Sequence, residues 1–247
     1  MKIPPFHSWT LDPDEAVRLQ ASLRDRLELT WDMRPVSSIG GVDVSFLADR
    51  ARAAIVVLRY PAQSLLAAVT AEVPLAFSYI PGLLVFREGP AVLAAWAKLP
   101  LKPDVLMFDG QGIAHPRGLG IASHLGLWLE MPTIGVAKSR LYGHHAEVGP
   151  QFGNRADLLD ESDPGHLLGT VLRTREKSKP LYISPGHLID LEQAVSFVLA
   201  CCRGFRLPEP TRRAHQMCAG HFGNRLVIPA VEAGLSGVTQ PEMRDNR

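Results

Sequence analysis

Cysteine is scarce in this sequence: 3 among 247 residues, two of them adjacent (Cys201 and Cys202) and none in a Cys-x-x-Cys spacing. That excludes a disulfide framework and a thiolate metal site. Aromatic residues make up only 7%. No sign of charge dominates. There are 26 Lys and Arg against 25 Asp and Glu, for a net charge of +1. No global field therefore draws the chain to nucleic acid or membrane, and any such binding must come from local clusters. No apolar run reaches membrane-spanning length, and Met1-Lys2-Ile3-Pro4-Pro5 lacks the apolar core of a secretion signal. These absences lead to the expectation of a reduced, cytoplasmic protein with no membrane partner. What is present is an ordinary globular composition, 46% hydrophobic and 21% charged, ample for a large core.

The most informative stretch is Pro103 to Gly126. Val105-Leu106-Met107-Phe108 is a short apolar run that ends at Asp109, the pattern of a strand buried on both faces. Gly110 and Gly112 give a tight turn, His115 and Arg117 follow, and helical spacing begins near Leu119. An acid thus sits at the carboxyl end of a buried strand, ahead of a Gly-rich loop, at the edge where ligands gather in open α/β sheets. A strand-ending Asp that merely caps the next helix gives the same pattern.

Elsewhere, Asp12-Pro13-Asp14-Glu15 starts a helix expected to run to about Leu29. Ile39 to Phe46, Ala53 to Tyr60 and Leu65 to Val73 read as three successive strands, with Asp43 in the first. Phe77 to Leu84 reads as a loop held by Pro and Gly, and Pro90 as the opening of a helix through Lys98, with Glu88 at its entrance. Thr133 to Ala137 is a strand ending at Lys138, and 144–164 is polar and irregular. Leu167–Thr174 and Pro180–Ser184 form a strand pair. Ser184-Pro185-Gly186-His187 reads as a turn, Ile189–Cys202 as a helix, and Pro208 as the start of a last helix carrying His215. One mixed sheet with helices on both faces, in a single domain over 1–222, accommodates this order. A loosely held tail is expected over 223–247.

Asp43, Glu88 and Asp109 can converge if the first and fourth strands are neighbours. Converging carboxylates repel unless a cation neutralises them, and an all-oxygen site suits Mg²⁺, with Mn²⁺ as its substitute. Such a site can drive in-line phosphodiester hydrolysis. Lys138 can stabilise charge on the phosphate, and His215 can orient water or support the metal. Each has a plainer reading: Glu88 complements a helix dipole, Lys138 is an exposed strand end, His215 sits in a helix cap. Tyr79-Ile80-Pro81 has the form of an apolar wedge that pries bases apart, or of a half-buried loop. Gly82, Gly110 and Gly120 leave room for a flipped base. Arg117, Lys138, Arg140, Arg212 and Arg213 are set to meet phosphates.

Taken together, Val42-Asp43-Val44-Ser45-Phe46, Tyr79 through Glu88, Phe108 through Arg117, Gly135-Val136-Ala137-Lys138-Ser139 and Ser184-Pro185-Gly186-His187 resemble the endonuclease V family, over about residues 7–220. The resemblance implies a ribonuclease-H-like fold. It implies a Mg²⁺-dependent endonuclease that recognises deoxyinosine in DNA and cuts the second phosphodiester 3′ to it, leaving 3′-hydroxyl and 5′-phosphate ends. It carries metal-ligand roles onto Asp43, Glu88 and Asp109, supporting catalytic roles onto Lys138 and His215, and the wedge onto Tyr79 and its neighbours. It also places a lesion pocket around Gly82, Leu84, Gly110, Ile121 and Leu141, with His115 and Arg117 beside it. A monomer is expected. RNA inosine, branched DNA, or silent binding of damaged DNA stand as alternatives. Two residues depart from the family pattern: Ser78 replaces a usual Pro, and Arg213 a usual apolar residue.

Overall fold

The computed structural model describes residues 6–220. Three long strands, β1 (Ser38–Leu47), β2 (Arg50–Arg59) and β3 (Leu65–Pro74), form an antiparallel meander. β4 (Val105–Phe108) then pairs parallel with β1, aligning Val42 with Phe108, and β5 (Thr133–Ala137) pairs parallel with β4. β6 (Arg155–Leu159), β7 (Leu167–Leu172) and β8 (Leu181–His187) complete an eight-stranded sheet of order β3-β2-β1-β4-β5-β8-β7-β6. This is the ribonuclease-H-like mixed sheet expected from the resemblance.

The sheet is covered on both faces because its central strands are apolar on both. Along β4, Leu106 and Phe108 join one core and Val105 and Met107 the other, as alternate side chains must. The first core is closed by α2 (Leu84–Lys98) and α3 (Ile121–Leu129), and α1 (Pro13–Arg24) contributes Ala16 to it. The opposite face is covered by α4 (Leu191–Ala200) over Ile134, Val136 and Ile183, and by α5 (Glu209–Cys218), whose Ala214 packs on Val56 and Leu58.

Four local expectations differ from the structure. Helix α1 stops at Arg24 rather than near Leu29; Asp25 ends it with a backbone bond to Leu23. Helix α2 begins at Leu84, so Pro90 lies inside it and Glu88 is a helical residue rather than one at the entrance. Pro90 cannot donate the bond that Phe86 would accept, and the lost bond is tolerated within a helix buried against the sheet. The stretch 144–164 contains strand β6, an edge strand whose exposed positions break the apolar signal. Ser184–His187 belongs to β8 rather than to a turn. Its register against β5 shifts between Thr133 and Ile134, opposite Pro185 and His187, which is how a strand accommodates a proline. The expected tail over 223–247 lies outside the described residues.

Helix α5 reaches the sheet only because β1 has no side chain at the crossing. A Cβ on Gly41 would stand 2.1 Å from the Pro210 carbonyl oxygen and 2.5 Å from the Thr211 nitrogen. Gly41→Ala should therefore push α5 off the sheet, at about 3 kcal/mol for an overpacked buried contact. A thermal melt is expected to fall by roughly 5 °C or more. An unchanged melt would show that the crossing is looser than described.

Candidate active site

Strand geometry brings the acids together. Asp109 follows the last residue of β4, and its N–H donates to Val42 O (3.0 Å) on β1. Asp43 is the next residue on that neighbouring strand. Both point away from the core that holds Val42 and Phe108, towards α5. From there His215 Nδ1 donates to Asp43 Oδ2 at 2.8 Å. Asp43, Asp109 and His215 each offer a ligand atom, all within 4.8 Å of one another. Lys138, just past β5, pairs with the Asp109 carboxylate, and its Nζ lies 3.4 Å from His215 Nδ1.

Glu88 stands apart from that trio but shares its field. It is 7% exposed, and burial raises its pKa well above the ordinary value, reinforced by the charges of Asp43 and Asp109 against a small opposing pull from Arg87. Asp109 is raised to about 6, first by burial and then by Asp43, with Lys138 acting the other way. Buried acids that hold protons this firmly lack enough positive charge nearby. Oxygen ligands with one imidazole and a surplus of negative charge fit a hard divalent cation. Asp43, Asp109 and His215 are so placed that they could hold one; Glu88, outside that trio, is near enough to feel the charges of Asp43 and Asp109.

Beside the acids is a small apolar cavity of about 80 Å³, walled by the loop before α2 and by the turn after β4. Tyr79, Ile80, Pro81, Gly82, Leu84, His115, Ile121 and Leu141 all line it, so most of the residues expected at a lesion pocket meet there. Gly110 is at its back: a Cβ there would lie 2.6 Å from Ile121 Cγ2. Tyr79 is 67% exposed at the loop tip. Ser78, in place of proline, does not leave the loop untethered. Arg87 Nη1 donates to Phe77 O (2.9 Å) at one end, its guanidinium stacked 4.5 Å over the Phe46 ring. At the other end Gly82 O receives Gln20 Nε2 (3.1 Å), His115 Nε2 (2.9 Å) and Arg117 Nη2 (2.6 Å). Gly82 has φ +80°, a conformation glycine adopts without penalty.

This clamp defines His115 and Arg117. His115 Nδ1 accepts from Arg117 N–H (3.1 Å), so its proton is on Nε2. Burial, then the Arg117 charge, lowers its pKa to about 4, and it stays neutral at physiological pH. Arg117 reaches Gln20 Oε1 (2.6 Å) and Gly82 O rather than the solvent side where a phosphate would lie. Arg212 and Arg213 both hold the buried Glu209, so the Arg213 departure serves helix α5 in this structure.

A model of the family described as Endonuclease V matches residues 20–216. The chain belongs to the endonuclease V family. It is 47% identical over 221 residues to the endonuclease V of Dehalococcoides mccartyi, covering 89% of this chain and 98% of that one. The crystal structure of endonuclease V from Streptomyces avermitilis is 40% identical and superposes with a TM-score of 0.80 over 87% of this chain and 94% of that one. The Ciona intestinalis endonuclease V, solved in complex with a 24mer DNA containing an inosine followed by a ribo-adenosine, is 30% identical with a TM-score of 0.71 over 84% and 96%. As an endonuclease V the chain is a nuclease. Among the described residues, no helix is long and apolar enough to cross a membrane.

Two polar pocket residues escaped the sequence reading. Gln20, 1% exposed, comes from α1, far from any motif. Gln111 sits inside the Gly-rich turn, masked by its glycines. Its Nε2 donates to Ser139 O (3.0 Å), while its buried Oε1 has no hydrogen-bond partner among the described residues.

The raised acids give a test without substrate. The folded state keeps the Asp109 proton up to about pH 6, whereas the unfolded chain releases it near 4. Across that window the folded state binds more protons, so this group's contribution to stability falls as pH rises. In EDTA at pH 7.5, Asp109→Asn is expected to be more stable than wild type by on the order of 2 kcal/mol, the gap closing towards pH 4. Millimolar Mg²⁺ should raise the wild-type melt and leave the variant unmoved. A variant less stable in EDTA, or equally stabilised by Mg²⁺, would contradict the assignment.

Proposed function

We propose that this endonuclease V nicks DNA containing deoxyinosine at the second phosphodiester 3′ to the lesion, with Mg²⁺ as cofactor and Mn²⁺ as substitute. The observation that carries the reading is the apolar cavity opening beside the acid cluster, with an unmatched acceptor, Gln111 Oε1, in its wall. The Ciona relative, solved in complex with DNA containing an inosine, supports the same substrate class. The position of the cut, and the 3′-hydroxyl and 5′-phosphate ends, follow the family resemblance.

In this reading a nucleotide leaves the stack and its base enters the cavity. Tyr79, with Ile80 and Pro81 behind it, takes the vacated space. Hypoxanthine presents a donor at N1 and an acceptor at O6; adenine presents the reverse. An acceptor at Gln111 Oε1 pairs with the hypoxanthine N1–H and meets a lone pair on adenine, which leaves two buried acceptors facing each other. Guanine carries the same N1–H but adds an exocyclic amine, which the apolar wall of Leu84, Ile121 and Leu141 gives no partner.

A cation held by Asp43, Asp109 and His215, faced by Glu88, would supply the charge that makes water a nucleophile and stabilises the leaving oxygen. The residues of the chain prepare for it. Asp43 and Asp109 are fixed on adjacent strands at a set spacing. Lys138 brings a positive charge to the Asp109 side, where the phosphate gathers negative charge in the transition state. His215 is aligned by Asp43 and half exposed, so its remaining nitrogen is the one left for the cation.

With Mg²⁺, a labelled duplex carrying one deoxyinosine should be nicked once, one nucleotide beyond the lesion on its 3′ side, and an adenine control left whole. Asp43→Ala should abolish the nick while lesion binding survives. Tyr79→Ala should weaken lesion binding without changing the Mg²⁺ stabilisation. Gln111→Leu should narrow the inosine-over-adenine preference by tenfold or more, the worth of one buried hydrogen bond. Equal cutting of both wild-type duplexes would end the substrate reading, and an inosine preference intact in Gln111→Leu would remove that residue from it.

A further inference from the structure

Several cations of this nearly neutral chain line one groove on the flank of the sheet. A groove of about 470 Å³ starts at Lys138 and runs across the ends of β5, β8 and β7, walled by Lys138, Arg140, His145, Arg173, Lys179 and Tyr182, with Glu147 as its acid. The β7–β8 turn above it adds exposed Arg175 and Lys177 against exposed Glu176.

These cations differ in what they are free to do. Arg173 donates to the carbonyls of Gly149, Ser178 and Val148, so it braces the wall. Lys138 is engaged with Asp109. Arg140 and Lys179 are exposed, and neither takes part in an ion pair among the described residues. Between them the His145 and Tyr182 rings meet edge to face at 5.6 Å. Cations free to meet phosphates, alternating with ring surfaces that accept any base, are the pattern of a sequence-tolerant single-strand site. Glu147 on the rim gives the groove no site for an anion other than one that keeps to the cationic wall.

The groove meets the acid cluster at Lys138, which lines the one and pairs with Asp109 in the other. Leu141 closes the cavity and its neighbour Arg140 opens onto the groove. A strand with its base in the cavity and its bond over Asp109 must leave past Lys138. We propose that this groove holds the substrate strand on the 3′ side of the cut, its phosphates on Arg140 and Lys179 and a base or sugar against Tyr182 and His145. The inference rests on the deoxyinosine reading and extends it: part of the affinity comes from nucleotides the enzyme releases as the 5′-phosphate end.

The test uses duplexes with one deoxyinosine whose nicked strand continues unpaired for one, three, six or ten nucleotides after the cut. For wild type, KM should fall about tenfold as this flank grows and level off by roughly six nucleotides, since single-strand sites span about that many. The Arg140→Ala/Lys179→Ala double variant should lose most of that dependence. Its log–log salt slope on the long substrate should drop by one to two, about one per lost phosphate contact. Arg140→Glu should exceed Arg140→Ala in the same direction. Wild-type nicking with a KM indifferent to flank length, or a double variant with unchanged flank dependence and salt slope, would overturn the groove. Absence of any inosine-dependent nick by wild type on every duplex would instead be failure of the substrate reading, and the groove's role would fall with it.

Discussion

The constraint on which the rest of the structure depends is electrostatic. Two aspartates stand on adjacent strands, on the same face, with a third buried acid opposite and too little positive charge to neutralise them. A fold under selection for stability alone would separate them, since two like charges repel at that distance and burial costs both. Here the sheet is built to enforce the meeting. The parallel pairing of β1 and β4 fixes the register that sets Asp43 beside Asp109. The missing side chain at Gly41 lets α5 descend far enough for His215 to reach Asp43. The next parallel strand, β5, delivers Lys138 to the same edge.

A second arrangement stabilises the recognition side. The carbonyl of Gly82 draws donors from α1, from the His115 turn and from Arg117. One backbone oxygen thus ties the N-terminal helix, the loop with Tyr79 and the turn after β4. The loop's other end is tied to α2 through Arg87, next to Glu88. The proposed wedge and the acid cluster are therefore joined by short, rigid connections, which suits the proposed reaction, in which the bond is found at a fixed distance from a recognised base.

Much of this was legible in the sequence, and the reasons are physical. A buried strand ending in Asp followed by glycines can be read because strand burial and turn chemistry are local. So could the opening meander and the single mixed sheet, since three consecutive strands leave few topologies. Pro90 misled because proline is commonest at the start of a helix, whereas the true start at Leu84 has no side-chain cap to announce it. The Ser-Pro-Gly-His run misled because a bulged strand uses the same residues as a turn. β6 was hidden by its position at the edge, where alternate side chains are polar. Gln20 and Gln111 could not be found at all: their roles come from pairing with groups such as Arg117 and Ser139, and no spacing rule encodes that.

The five residues gathered at the cluster, Asp43, Glu88, Asp109, Lys138 and His215, come from five separate elements spread from the first strand to α5, the last of the described helices. No contiguous part of the chain contains the site. During synthesis, β1 must wait for β4 before its parallel partner exists, and Asp43 must wait for α5 before His215 arrives. Such non-local closure makes folding slow. It also means that a ribosome-bound or truncated chain lacking α5 has no assembled hydrolytic centre, so a partly made copy of this nuclease would not cut the nucleic acid around it.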